Sequence, residues 1–194
     1  DFTYTQQTHT TNVKRVYARE RGQSFPETDG MITDVPGICL VTSYADCVPL
    51  YFVDPVKKVI GLSHSGWRGT VGKIGKVTVE KMEEEFGCDP ADILGAVGPS
   101  ICQDCYEVSE DVIKKFRENY DENLWPEIFY QKENGKYQLN LWKANESVFL
   151  ESGILPEHIA VTNVCTHCNP DILFSHRTTG NERGTLSAFL ALKK

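Results

Sequence analysis

The chain has 194 residues, 40% of them apolar and 24% charged, with a net charge of −7. That length and composition suit one globular domain with a sizeable core. The acidic balance argues against a nucleic-acid binder, which needs a basic face, and no apolar run approaches the ~20 residues of a membrane span. Seven cysteines are an odd number in a chain too large to need disulfide staples. They point to a reducing compartment, the cytoplasm, with thiols used for packing, metal or catalysis.

In chain order, TNVKRVYA (11–18) alternates like a strand, and GICLVTSYADCVPLYFV (37–53) is β-rich with a break at Ala45 and Asp46. Asp54 and Pro55 begin a turn, and KVIGLSHS (58–65) is the next strand. Val71, Ile74, Val77, Met82 and Phe86 then recur at helical spacing, predicting one helix over 70–86 that stops at Gly87. ILGAVGPS (93–100) reads as a buried strand, and Ser109 with Glu110 and Asp111 opens a helix to about Asn119. A hairpin turn at 133–136 and a helix over 140–152 follow. HIAVTNV (158–164), ILFSH (172–176) and GTLSAFLAL (184–192) read as strands. The order is not a clean βαβ alternation, so the expected class is α+β, with mixed sheets covered by helices. No repeat or long linker divides the chain, which predicts one domain over 1–194.

The chemistry centres on SHSGWRGT (63–70). If the strands on either side of Asp54 and Pro55 pair as a hairpin, Cys47 and His64 lie about equally far from the turn. A thiol and an imidazole then meet at one end of a sheet. That pair serves either as a base-activated nucleophile or as two metal ligands. His9 in QQTHTT is a candidate third ligand; the alternative is a core cysteine at 47, a hydrogen-bonded turn histidine at 64 and an ordinary exposed polar residue at 9. Asp46, beside Cys47, is a candidate proton-handling or supporting carboxylate that has equal reason to point away.

Two further motifs are C-x-x-C pairs, CQDC (102–105) and CTHC (165–168), with His167 inside the second. Four such thiols suit structural zinc, but the gap between the pairs far exceeds the ~15–20 residues of an ordinary zinc ribbon. Reduced thiols near a site rim are the alternative. Arg68, after a Gly-containing turn, is a candidate phosphate binder; Arg177, after ILFSH, and Arg183 are the other informative arginines, with a surface ion pair as the alternative for each. His158 reads as exposed in a helix-to-strand connection, and Trp67 as a core anchor.

QQTH (6–9), TDGMIT (28–33), SYADCVPL (43–50), GLSHSGWRGT (61–70), GPSICQDCYEV (98–108), NLWKANESVFLESGI (140–154) and the CT…LFSHR…G…G run (165–184) follow one another in the order found in the YfiH/laccase-domain family. The resemblance spans essentially the whole chain. That family is also called the polyphenol oxidase or purine nucleoside phosphorylase family. The resemblance implies a YfiH-like layered fold of the α/β/β/α type. It also implies a zinc site of His9, Cys47 and His64, with copper as an alternative metal. Similar proteins begin with an Arg-x-Gly-Gly-type segment ahead of the Q-x-H motif; it is absent here, so the chain is expected to lack an N-terminal segment.

The function implied is a zinc-dependent purine nucleoside phosphorylase acting on adenosine, inosine and methylthioadenosine, with adenosine deaminase activity. Its partners are a purine nucleoside and phosphate, with no nucleic acid or membrane, and the chain is expected to be a monomer. Cys47, His64 and Arg68 are the expected catalytic residues, and Arg68 and Arg177 the expected phosphate binders. The rivals are a copper-dependent polyphenol oxidase, a metal-free Cys–His hydrolase and a non-catalytic zinc-stabilised binding module. Multicopper oxidation needs more imidazoles than five histidines readily supply.

Overall fold

A computed structural model describes residues 1–193. The chain opens with strands β1 (Phe2–Gln6), β2 (Val13–Arg15), β3 (Ser24–Pro26) and β4 (Gly30–Thr33). The long strands β5 (Cys39–Tyr44), β6 (Val48–Asp54) and β7 (Val59–Ser65) follow, then helices α1 (Trp67–Val71) and α2 (Ile74–Phe86) and strand β8 (Leu94–Val97). Next come β9 (Glu107–Val108), α3 (Glu110–Asn119), α4 (Trp125–Ile128), β10 (Phe129–Gln131) and β11 (Tyr137–Leu139). The chain continues through α5 (Leu141–Glu151), β12 (Ile159–Val161), α6 (His176–Thr179) and β13 (Leu186–Ala191). None of these helices is long and apolar enough to cross a membrane.

The class is α+β. A six-stranded mixed sheet runs β12-β8-β6-β7-β4-β2, a four-stranded one β13-β5-β1-β3, and a small antiparallel one β10-β11-β9. Alternation along β7 explains how the layers stack. Ile60 and Leu62 face the four-stranded sheet and pack with Met31, Leu40 and Tyr44. Ser63 faces the other way, and its hydroxyl meets Thr78 of α2 at 2.7 Å. Phe52, Ile74, Val79, Met82 and Phe149 fill the helix-covered side. The outward face of the four-stranded sheet carries exposed Phe2, Tyr4 and Phe189.

The hairpin expected around Asp54 and Pro55 is present, with Pro49 opposite His64 and Val48 opposite Ser65. The single helix expected over 70–86 is instead two. Gly72 ends α1, and Lys73 takes a left-handed φ of 55° before α2 begins. A Cβ at Gly72 would lie 2.6 Å from Thr11 Cγ2, so the close approach of the 7–12 segment demands glycine there. Gly87, at φ 65°, stops α2 as its position predicts.

The strand expected at ILFSH does not form. Ile172 and Phe174 are exposed, and the Ser175 hydroxyl accepts a bond from Thr178 N, capping α6. Capping competes successfully with strand pairing at this serine. Phe174 instead lies over Gly184, where a Cβ would come within 2.5 Å of its ring. His158 is half-buried rather than exposed, in the turn leading into β12.

Candidate metal centre

The hairpin register carries Cys47 and Gly66 to the same end of the six-stranded sheet. His64 shares the face of Ile60 and Leu62, so its ring enters the layer between the two sheets, 5.5 Å from the Tyr44 ring. Cys47 ends the short crossing, residues 45–47, that takes the chain from β5 in one sheet to β6 in the other. His9 arrives from the segment after β1. Its ring centroid is 4.9 Å from that of His64, and its Nε2 is 3.9 Å from Cys47 Sγ. One ligand atom from each of His9, Cys47 and His64 lies within 4.8 Å of the others. Two imidazoles and a thiolate suit zinc, and three protein ligands leave a position open.

The residue that organises this cluster is Asp29, wholly buried on the segment entering β4. Its carboxylate accepts the backbone N–H groups of Thr8, His9 and Thr10 at 3.2, 3.0 and 2.8 Å and the Thr10 hydroxyl at 2.7 Å. It also accepts His64 Nδ1–H at 2.9 Å, which leaves His64 Nε2 to face the cluster. Backbone pairing locks the same two residues together, with His64 N donating to Asp29 O at 2.7 Å. The motif TDGMIT marks Asp29 in the sequence, but nothing local to it discloses a contact with His64.

Both other ligand turns are conformationally unusual. His9 has φ 62°, and Asp46, next to Cys47, has φ 85°. Such backbone persists where its surroundings over-determine it. For His9 the restraint is Asp29. Asp46 points away from the cluster: its carboxylate accepts the Thr166 hydroxyl at 2.6 Å and Arg177 N at 2.7 Å. It is therefore a positioning residue for the turn, not a proton-handling group at the cluster. Gly66 is required for space rather than conformation. A Cβ there would come within 2.9 Å of His9 Cδ2 and 3.0 Å of Cys47 Sγ.

Electrostatics reinforce the geometry. Burial opposes ionisation of Cys47, but hydrogen bonds from His64 and then His9 bring its thiol down to about 6. Burial likewise opposes protonation of His64, yet Asp29 and Cys47 raise it to about 9. Both shifts run in the direction that favours a thiolate beside an imidazolium when no metal is bound.

A cavity of about 310 Å³ opens over the cluster, walled by His9, Cys47, His64, Tyr44, Gln7 and Arg183. Arg183 Nε is buried there with no hydrogen-bond partner among the described residues. Arg68 and Arg177 are not among the residues that wall this cavity. Arg68 is exposed and sits 4.3 Å over the Trp67 ring. Arg177 sits 5.3 Å over the Tyr106 ring and donates to Glu107 O at 3.0 Å. Burial pushes the Tyr106 hydroxyl well up, Cys47 and Asp46 push it further, and the Arg177 and Arg68 charges oppose them. None of these three guanidiniums pairs with a carboxylate among the described residues. Trp67 packs against the main core, as expected of an anchor.

A sequence model of the family described as multi-copper polyphenol oxidoreductase laccase matches residues 1–193, and the chain belongs to that family. Purine nucleoside phosphorylase YlmD of Bacillus subtilis is 35% identical over 199 residues, covering 98% of this chain and 70% of the relative. Adenosine deaminase RL5, from an unknown prokaryotic organism, is 34% identical over 191 residues, covering 95% of this chain and 72% of that protein. The crystal structure of Bacillus licheniformis YfiH superposes with a TM-score of 0.95 at 33% identity, over 99% of this chain and 74% of that one.

Proposed function

We propose that this protein is a zinc-dependent purine nucleoside phosphorylase with adenosine deaminase activity. The observation that carries the reading is the convergence of His9, Cys47 and His64 on one cavity, with His64 oriented by Asp29. The names of the phosphorylase and deaminase relatives support the reaction class. Zinc held by these three residues would supply a Lewis-acid centre at the cavity floor.

The chain's own residues divide the remaining work. In phosphorolysis, phosphate attacks the anomeric carbon as the purine departs, and the transition state resembles an oxocarbenium ion. The anion must be held and the leaving base stabilised. Arg68 and Arg177 are assigned to anion binding, and Arg183, in the cavity wall, joins them as the residue that sequence reasoning left without a role. Asp29 keeps the proton on His64 Nδ1, so that Nε2 retains its lone pair. Tyr44, beside His64, and Gln7 line the cavity that would receive the nucleoside.

A copper oxidase is the weaker reading. His158, His167 and His176 all lie outside the cluster, and His167 Nδ1 is taken up by the Thr178 hydroxyl at 2.8 Å. Two imidazoles and one thiolate are too few for several coppers. The thiolate–imidazolium pair keeps a metal-free hydrolase in view, and one experiment separates it. Phosphate-dependent cleavage of adenosine is measured with and without chelator, for wild type and Cys47→Ala. The proposal expects loss of turnover on chelation, restoration by zinc, and none in Cys47→Ala; full phosphorolysis by metal-free protein overturns it.

A further inference from the structure

Two C-x-x-C turns remote in sequence meet in space. Cys102 precedes a short 3-10 turn, Gln103–Cys105, on the segment after β8, and Cys165 and Cys168 bracket a turn after β12. A parallel bridge between Ser100 and Cys165 brings them together. It is closed by bonds from Ser100 N to Val164 O and from Thr166 N to Ser100 O, both 3.1 Å. The strand order explains why the sequence gap misleads: β8 and β12 are parallel neighbours, so their carboxyl ends emerge side by side.

The four Sγ atoms lie within 4.8 Å of one another, and Cys105 Sγ is 3.5 Å from Cys168 Sγ. Thiolates about 2.3 Å from a tetrahedral zinc stand about 3.8 Å apart, whereas a disulfide needs about 2.0 Å. Cys102 N donates to Cys165 Sγ at 3.3 Å, a contact suited to a thiolate acceptor. The first turn is anchored from outside by Gln138 Nε2 on Asp104 O at 2.7 Å, the second by Asn169 Nδ2 on Cys165 O at 2.8 Å.

We propose that Cys102, Cys105, Cys165 and Cys168 form a second metal site, a closed four-thiolate structural zinc centre separate from the His9, Cys47 and His64 cluster. Four sulfurs fill the coordination sphere, so the ion has no open position and its role is to hold the chain. What it holds is the stretch 162–185, whose only helix longer than a single 3-10 turn is the four-residue α6. Segments of that length with so little structure of their own are uncommon in compact domains. This one carries Thr166 and the Arg177 amide, which fix Asp46, and Arg183, which walls the cavity. Binding releases the thiol protons to solvent and clips the segment to the loop after β8.

The inference does not rest on the proposed reaction, and its test is independent of turnover. Zinc content is measured for His64→Ala, which disables the first cluster, and for His64→Ala combined with Cys105→Ser and Cys168→Ser. The expected result is one zinc per chain in the former and none in the latter. Because the combined variant risks misfolding, unmodified protein is also alkylated with iodoacetamide, with and without a strong chelator. Cys102, Cys105, Cys165 and Cys168 should be protected while zinc is present and labelled after its removal, with proteolytic cleavage within 162–185 rising at least tenfold. A His64→Ala protein without zinc, disulfides among these cysteines in protein kept reduced, or bound iron in their place would each overturn the proposal.

Discussion

Asp29 accepts the Nδ1 proton of His64 at 2.9 Å, and the same carboxylate gathers three successive backbone amides around His9. One buried charge thereby sets the orientation of two candidate ligands that the sequence separates widely. Asp29→Asn keeps the shape but exchanges one acceptor oxygen for a donor, which faces donors already in place. Zinc affinity at the cluster should fall roughly 10–100-fold, as for other losses of a partner behind a ligating histidine. Competition with a chromophoric chelator measures it, and unchanged affinity would remove Asp29 from this role.

The same residue predicts a pH dependence for metal-free protein. Burial favours the protonated form of Asp29, but bonds from His64 and Thr10 hold it down to about 2, against a usual 3.8. A depressed carboxylate contributes its full stability above the unfolded value and loses it as pH falls through the folded one. Wild type should therefore lose stability between about pH 4 and pH 2, and Asp29→Asn should show a shallower slope there. Urea titrations at stepped pH provide the comparison.

Gly66→Ala should damage the cluster while leaving the fold. Its Cβ would press on His9 Cδ2 and Cys47 Sγ, both at 3.0 Å or less. Overpacking of this kind costs about 1–3 kcal/mol. Gly69→Ala is the control, because the nearest atom to its Cβ is 3.4 Å away. Thermal melts with and without zinc should show Gly66→Ala losing most of the zinc-dependent increment and Gly69→Ala retaining it.

The cysteines should differ sharply in reactivity once metal is removed. Cys47 is held near 6 by its two histidines, so it is largely thiolate at neutral pH. Cys88 goes the other way, pushed up to about 12 by burial and then by Asp54. Iodoacetamide at pH 7 should label Cys47 first and leave Cys88 untouched in the folded state. Zinc should suppress the Cys47 adduct. Peptide mapping by mass reads both outcomes.

Arg183→Ala should raise the phosphate KM by about tenfold or more, the scale of one lost charge-assisted hydrogen bond. Arg183 stands in the cavity wall, whereas Arg68 rests on Trp67 and Arg177 is partly engaged by Glu107 O. Arg68→Ala should therefore cost less. Initial rates across phosphate concentrations, with adenosine saturating, rank the three; an Arg183→Ala enzyme with wild-type phosphate dependence assigns the anion to the Tyr106 side.

Much of the candidate site was legible without coordinates, and the reason is local. Cys47 and His64 flank a hairpin, and hairpin register follows from turn position and strand alternation. Equal distance from Asp54 and Pro55 was therefore enough to bring thiol and imidazole to one sheet end. The α2 stop at Gly87 and the hairpin at 133–136 were legible in the same way, since their signals are a few residues long.

Tertiary structure alone decided the remainder. The split between α1 and α2 falls at Gly72, which Thr11 crowds, and at left-handed Lys73, and the helical turn replacing a strand at ILFSH is capped by Ser175 accepting from Thr178 N. No periodicity in either segment records those neighbours. Asp29 was visible as part of a motif, yet its partnership with His64 exists only because β4 pairs with β7. The two C-x-x-C turns looked too distant for a common ion until β8 and β12 lay side by side. The sequence by itself determined the α+β class, the main strands and the Cys47–His64 meeting, because each follows from short-range pattern. The carboxylate behind the histidine, the direction of Asp46 and the convergence of four thiols were settled by sheet order, which brings together residues that no local pattern connects.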